Sequence, residues 1–125
     1  MQLRSFMSSK IHKAIVTEAN VDYVGSISID ADLLDAAGLL PNEKVLVVSN
    51  TSGARLETYI IKGERGTGYI GVNGAAAHLI KPGEEVIIIA FTLSTEPVVP
   101  KAILVDKNNR FVCDLTERQA EFAPE

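Results

Sequence analysis

Three observations predict a mainly β fold, a small barrel with short helices. The 125 residues are 46% hydrophobic and 22% charged, globular proportions that supply enough apolar surface to offset the entropy of ordering the chain. That apolar content falls largely in short β-branched runs between turn residues. A helix–turn–strand pattern also occurs twice: residues 36–48 read AAGLLPNEKVLVV and residues 76–89 read AAHLIKPGEEVIII, which align with one inserted residue. The echo has two readings, the shared local grammar of such units or a duplicated unit. Two related halves suit a small barrel with a pseudo-twofold axis, which leaves no exposed sheet edge.

The elements follow in order. Residues 10–17 (KIHKAIVT) and 23–30 (YVGSISID) read as strands, with Glu18-Ala19-Asn20 as the turn between them. Asp30 reads as the N-cap of a short helix, ADLLDAA, stopped by Gly38. Residues 45–49 form a buried-type strand, and Asn50-Thr51-Ser52-Gly53 turns the chain into a strand over 54–61. Period-2 alternation in that strand puts Arg55, Glu57, Tyr59 and Ile61 on one face and Ala54, Leu56, Thr58 and Ile60 on the other. A loop over 62–68 leads to a strand at 69–72, and Asn73-Gly74 opens a helical turn, AAAHLI. Residues 85–91 are the most apolar strand, 92–101 a Pro-containing connection, and 102–106 and 111–115 a hairpin whose two asparagines, Asn108 and Asn109, suit positive φ. The domain is expected over 1–115, with 116–125 as a polar tail.

Charge and composition exclude several classes. Lys+Arg is 12 against 16 Asp+Glu, for a net charge of −4 and a pI near 5.2. No basic stripe is present to displace counterions from nucleic acid, so no nucleic-acid partner is expected. No apolar run is long enough for a membrane helix, so no membrane association is expected either. The N-terminus lacks the apolar core and cleavage site of a signal peptide, which makes the cytoplasm the expected compartment. The single cysteine, Cys113, cannot form an internal disulfide and is expected as a buried structural thiol in its strand.

Most motifs dissolve on inspection. Gly66-Thr67-Gly68-Tyr69-Ile70-Gly71 matches G-x-G-x-x-G, but its glycines lie in a loop that leads into a strand rather than a helix, so it is not a dinucleotide fingerprint. His12 and His78 are far apart and no Cys or carboxylate cluster has ligand spacing, so no metal site is expected. Asp30, Asp32 and Asp35 read as a helix start meeting the positive end of the dipole. Gly25-Ser26 is uninformative as a pair, but its context raises it. A glycine inside a strand-like segment marks a bulge or a close approach. A serine hydroxyl beside an accessible glycine carbonyl can attack it through a five-membered ring.

Lys10-Ile11-His12, Tyr23-Val24-Gly25-Ser26, Ile29-Asp30, Asp35-Ala36-Ala37, Gly53-Ala54-Arg55, Thr58-Tyr59, Glu64-Arg65-Gly66 and Asn73-Gly74-Ala75-Ala76-Ala77-His78 occur in an order that closely resembles the pyruvoyl-dependent aspartate 1-decarboxylases. The resemblance runs from about residue 1 to about residue 115, and the Tyr-x-Gly-Ser and Asn-Gly-Ala-Ala-Ala-His blocks carry most of its specificity. It implies a double-psi β-barrel, a homotetramer, self-cleavage between Gly25 and Ser26, and conversion of L-aspartate to β-alanine and CO2 for pantothenate and coenzyme A synthesis. It leaves open whether a maturation factor assists the cleavage.

The chemistry fits such a chain. Removing CO2 from an α-amino acid leaves an electron pair that no ordinary side chain can delocalise, so an electron sink is required. Ser26 can become one. Attack on the Gly25 carbonyl gives an ester, elimination leaves dehydroalanine, and hydrolysis yields a pyruvoyl group on the fragment 26–125, able to form a Schiff base with the substrate amine. By resemblance, Arg55 and Lys10 contact the substrate carboxylates, Tyr59 donates the proton, and Thr58 serves the processing step. Asn73 with Gly74, Ala75 and Ala76 lines the pocket, and His12 and Tyr23 stand near the processing site. Strict alternation separates Thr58 from Tyr59, so either a bulge or a site shared between subunits is expected. The alternative from another class is a ligand-binding β-barrel that never self-processes.

Overall fold

In the computed structural model, which describes residues 1–116, the chain is mainly β. The strands are β1 (Arg4–Ile15), β2 (Glu18–Asn20), β3 (Ser26–Asp30), β4 (Lys44–Ser49), β5 (Arg55–Gly63), β6 (Ile70–Asn73), β7 (Glu85–Ser94), β8 (Lys101–Val105) and β9 (Phe111–Leu115). The helix α1 (Ala31–Ala37) follows β3, and a 3₁₀ turn over Gly74–His78 follows β6. The strands make one mixed sheet in the order β2-β6-β3-β5-β4-β7-β1-β8-β9.

The sheet is curled, as in a small β-barrel. Ile70 and Val72 of β6, near one end of the strand order, share a buried cluster with Ile103 and Val105 of β8, near the other. Asn109 ties the two ends. It sits at φ 59° in the β8–β9 turn, where an asparagine tolerates the left-handed region. Its side chain donates to Gly68 O and Ile15 O, each at 2.8 Å, and accepts from Ile15 N–H at 2.7 Å.

The duplicated-unit reading of the echo agrees with the topology. β3-α1-β4 and β6-3₁₀-β7 run in the same order, and like strands pair antiparallel, β3 with β6 and β4 with β7. Val47 of β4, which the echo aligns with Ile88 of β7, pairs with that same Ile88, as a twofold axis through the pair requires. The turns correspond as well. Asn42 and Gly83 both take positive φ, and Glu43 and Glu84 each accept the N–H three residues back, from Leu40 at 3.0 Å and Lys81 at 2.6 Å.

Helix α1 forms where its caps predict it. The Asp30 carboxylate accepts Asp32 N–H at 2.8 Å, Gly38 at φ 70° ends the helix, and Leu33, Leu34 and Ala37 face the core. The glycine loop before β6 uses the same carboxylate: Gly66 N–H donates to Asp30 Oδ1 at 3.0 Å and Gly68 N–H to Oδ2 at 2.7 Å. The anion held by this G-x-G segment is therefore the chain's own side chain.

Several expectations are corrected. Glu18-Ala19-Asn20 is a short strand rather than a turn, because it pairs parallel with Gly71–Asn73 of β6. Residues 23–25 precede β3 instead of belonging to it. β1 starts at Arg4, and a bulge with Lys13 at φ 67° lets both Ile11 and Ala14 face the core. β7 runs to Ser94, which shortens the Pro-containing connection. Cys113 is exposed, because β9 is an outer strand that packs only through β8. Asn109 has positive φ but Asn108 does not. The tail beyond residue 116 lies outside the described residues.

Candidate active site

The antiparallel register of β3 and β6 sets Ser26 opposite Asn73 and Ser28 opposite Gly71. Ser26, Ser28 and Asn73 therefore share one face of the sheet, with Ile27 and Ile29 turned into the core. Ser26 is 1% exposed and Asn73 3%. The Ser26 hydroxyl donates to Val24 O at 2.8 Å, and Asn73 Nδ2 donates to Ser26 Oγ at 3.0 Å. The same nitrogen donates to Ser28 Oγ at 3.1 Å. Asn73 occupies the N-cap position of the 3₁₀ turn, but its side chain makes no capping bond there.

Gly74 closes against the other side of Gly25. At φ +73° it lies so near that a Cβ would come within 2.5 Å of Gly25 Cα and 2.9 Å of Gly25 N. Glycine is thus required at 74 on both conformational and steric grounds. A Cβ on Gly25 itself would meet no atom within 4 Å, so the peptide it begins is approachable.

A cleft of about 470 Å³ opens here, lined by Gly25, Leu56, Glu57, Thr58, Tyr59, Asn73, Ala75, Ala76 and Leu79. Thr58 and Tyr59 line it together within one chain, with an unbroken β4–β5 register across them. Neither a bulge nor a second subunit is needed for that. β5 pairs with β3 only over Ile60–Gly63, while its residues 55–59 pair with β4 alone. The other edge of that segment is open, and side chains of both faces reach a cleft placed along an edge.

The remaining predicted residues lie elsewhere in the single chain. Lys10 is half-buried on β1, beside Ile89 and Ala102, with β4 and β7 between it and β5. His12, also half-buried, neighbours Leu104 of β8. Arg55 is exposed at the start of β5, opposite Val48. Tyr23 is half exposed and lines a separate cavity of about 320 Å³ with Ser28, Lys62, Glu64 and Tyr69. The cleft wall carries one acid, Glu57, which pairs with Lys44 at 3.0 Å on the exposed surface. Leu56, Glu57, Leu79 and Ser28 were not singled out from sequence. Only Ser28 had a signal there, two residues from Ser26 on the same face. Among the described residues no group of three or more His, Cys, Asp or Glu could hold a metal ion, and no helix is long and apolar enough to cross a membrane.

Fold and site together define a class: a small, mainly β protein in which a buried serine follows an approachable glycine that lines a cleft at an open strand edge. The aspartate decarboxylase family model matches residues 1–112, and the chain belongs to that family. It is 60% identical over 111 residues to an aspartate 1-decarboxylase of Bacillus pumilus (strain SAFR-032), covering 86% of this chain and 87% of that one. A Bacillus cereus (strain G9842) protein of the same name is 55% identical over 113 residues, covering 87% and 89%. One from Geobacillus sp. (strain WCH70) is 51% identical over 121 residues, covering 94% and 95%.

Proposed function

We propose that this protein decarboxylates L-aspartate to β-alanine and CO2, using a pyruvoyl group made from its own Ser26, in the cytoplasm and in the service of pantothenate and coenzyme A synthesis. The observation that carries the reading is the holding of Ser26: an oxygen nucleophile, buried, bonded to Val24 O and Asn73 Nδ2, next to a Gly25 that opens onto the cleft. The residues present fit the group. Ser26 would begin the fragment 26–125, its oxygen already faces an N–H donor on Asn73, and both Gly25 before it and Asn73 beside it line the cleft.

In maturation the Ser26 hydroxyl oxygen attacks the Gly25 carbonyl carbon, its proton passes to the Ser26 nitrogen, and the C–N bond breaks to leave an ester and a free amine. Loss of the residue-26 α-proton then expels the Gly25 carboxylate, and water hydrolyses the resulting dehydroalanine with release of ammonia. Asn73 orients the attacking oxygen. Thr58, on the cleft wall with Gly25, is the donor assigned to the carbonyl oxygen as charge develops there. When present, the pyruvoyl group supplies a ketone that condenses with an amine and takes up the electron pair left behind by CO2. Tyr59, on the same wall, delivers the proton that completes β-alanine. Asn73, Ala75 and Ala76, on the cleft wall, bound the space for the substrate, and Gly74 holds the turn that carries them.

Aspartate brings two carboxylates, and the wall offers Glu57 but no cation. The reading therefore assigns cation contacts to Arg55 and Lys10 and completes each site at a contact between copies, in a homotetramer. Arg55 presents a planar fork suited to a bidentate carboxylate. Residues 1–115 are assigned to one folded domain, with Tyr23 and His12 supporting the processing region.

Ser26→Ala tests the whole reading. Purified wild-type chain should split on incubation into 1–25 and 26–125 by intact mass, without protease or added cofactor. The variant should stay one folded chain with no β-alanine formed. β-Alanine production by Ser26→Ala, or full activity in an uncleaved wild type, would overturn it.

A further inference from the structure

We infer that Ser28 is a positioning residue for self-cleavage: it holds the Asn73 amide in the plane that presents an N–H to the Ser26 oxygen. The inference rests on the proposed Gly25–Ser26 cleavage. The terminal torsion of an asparagine is a broad, two-fold rotor, so one hydrogen bond fixes it poorly. In this site a single nitrogen, Asn73 Nδ2, serves two oxygens, Ser26 Oγ at 3.0 Å and Ser28 Oγ at 3.1 Å. Two acceptors on the two hydrogens of one nitrogen define the amide plane, and turning it over would withdraw both donors at once.

The surroundings leave Ser28 this task. The residue opposite it on β6 is Gly71, which offers no side chain. The Tyr69 ring lies over Gly71 so closely that a Cβ there would fall 2.5 Å from Tyr69 Cε2. Tyr69 is itself braced, its hydroxyl donating to Glu18 on β2 at 3.0 Å. Ser28 is only 9% exposed, at the wall of the Tyr23 cavity, and Asn73 is the side chain that bonds its oxygen. The Ser26 hydroxyl hydrogen is directed at Val24 O, so the Ser26 oxygen turns a lone pair toward Asn73. Only the nitrogen end of the amide can satisfy that lone pair and so fix where the oxygen stands; the oxygen end would meet it lone pair to lone pair.

The test is the first-order rate of conversion of freshly purified full-length chain, followed by intact mass, in wild type, Ser28→Ala, Ser28→Cys and Ser28→Thr. Thermal melts of each confirm folding. Loss of one orienting hydrogen bond should slow cleavage about tenfold in Ser28→Ala. Ser28→Cys keeps the shape but accepts weakly, and should share the defect even if the Ala variant folds badly. Ser28→Thr keeps the oxygen and should cleave within about twofold of wild type, a rescue that a purely structural role of side-chain size would not give. Wild-type rates in the folded Ala or Cys variants, or a Thr variant as slow as Ala, would overturn the inference and leave the proposed function standing. A wild type that never cleaves would overturn both.

Discussion

Gly74 leaves its neighbour no slack. A methyl group at that position meets backbone, Gly25 Cα, rather than the yielding end of a side chain. Gly74→Ala should therefore lower stability by about 1–3 kcal/mol, from strain at positive φ and the forced shift of Gly25. It should also slow the proposed cleavage, because the residue forced to shift is Gly25, whose carbonyl the proposal makes the point of attack. A melting temperature and cleavage rate equal to wild type would contradict this. Residues assigned to turnover should separate from those assigned to cleavage. Tyr59→Phe should still cleave while β-alanine formation falls about 10²-fold, the scale of a lost general acid. Arg55→Lys keeps the charge but loses the bidentate fork, so kcat/KM for aspartate should fall about tenfold or more with cleavage retained. Near-normal turnover in either variant removes that residue from the site.

At the scale of elements, one buried carboxylate joins three of them. Asp30 ends β3, caps α1 and receives the glycine loop before β6. Burial pushes its carboxyl up, but the N–H groups of Gly68, Asp32 and Gly66 and the charge of Arg110 outweigh burial and hold it below its ordinary value of 3.8. Glu84 is likewise held below 4.5, by the Ser49 hydroxyl, Lys81 N–H and Ser52 against an opposing burial effect. Both groups bind protons more weakly folded than unfolded. Their contribution is complete above the ordinary values and drains away as pH falls through the lowered ones. Thermal stability should thus be flat from neutral pH to about 5 and drop below about 4. In Asp30→Asn that drop should be smaller, with stability at neutral pH reduced by about 1–3 kcal/mol. An unchanged acid limb would refute the assignment.

Local chemistry made α1, β4 and β7 legible in the sequence, because caps and apolar runs act over a few residues. β2 was not legible: its three residues are a strand only because β6 lies alongside, a contact between distant parts of the chain. Exposed Cys113 failed for a related reason, since strand composition does not reveal which strand ends outermost in the sheet order. Residues close in sequence, such as Asn73, Ala75 and Ala76, line one cleft together. Lys10 and Arg55 do not line it: Lys10 lies on β1, with two strands between it and β5, and Arg55 at the exposed start of β5.

On the scale of the whole molecule, the open edge of β5 and the absence of a cation among the residues lining the cleft are what motivate the proposed assembly into shared sites. Sedimentation should find a tetramer, and specific activity should fall on dilution in step with its dissociation. A fully active monomer would end the shared-site proposal and require cations from within the chain.

The repeated strand–turn–strand unit has a consequence for how such a site can arise. Asp30 and Asn73 hold the same post, the last strand residue before the helical turn in each half. In the first half the side chain keeps the local duty of that post and caps the helix. In the second half the turn stands without a side-chain cap, and the amide reaches across the sheet to two serines. A single-copy fold that redirected its capping residue would lose a helix start. With two copies, one can remain an anchor while its twin is free to drift toward chemistry. Ser26 lies on a strand of the first unit and the amide that bonds it on a strand of the second, so the proposed self-processing would need both halves.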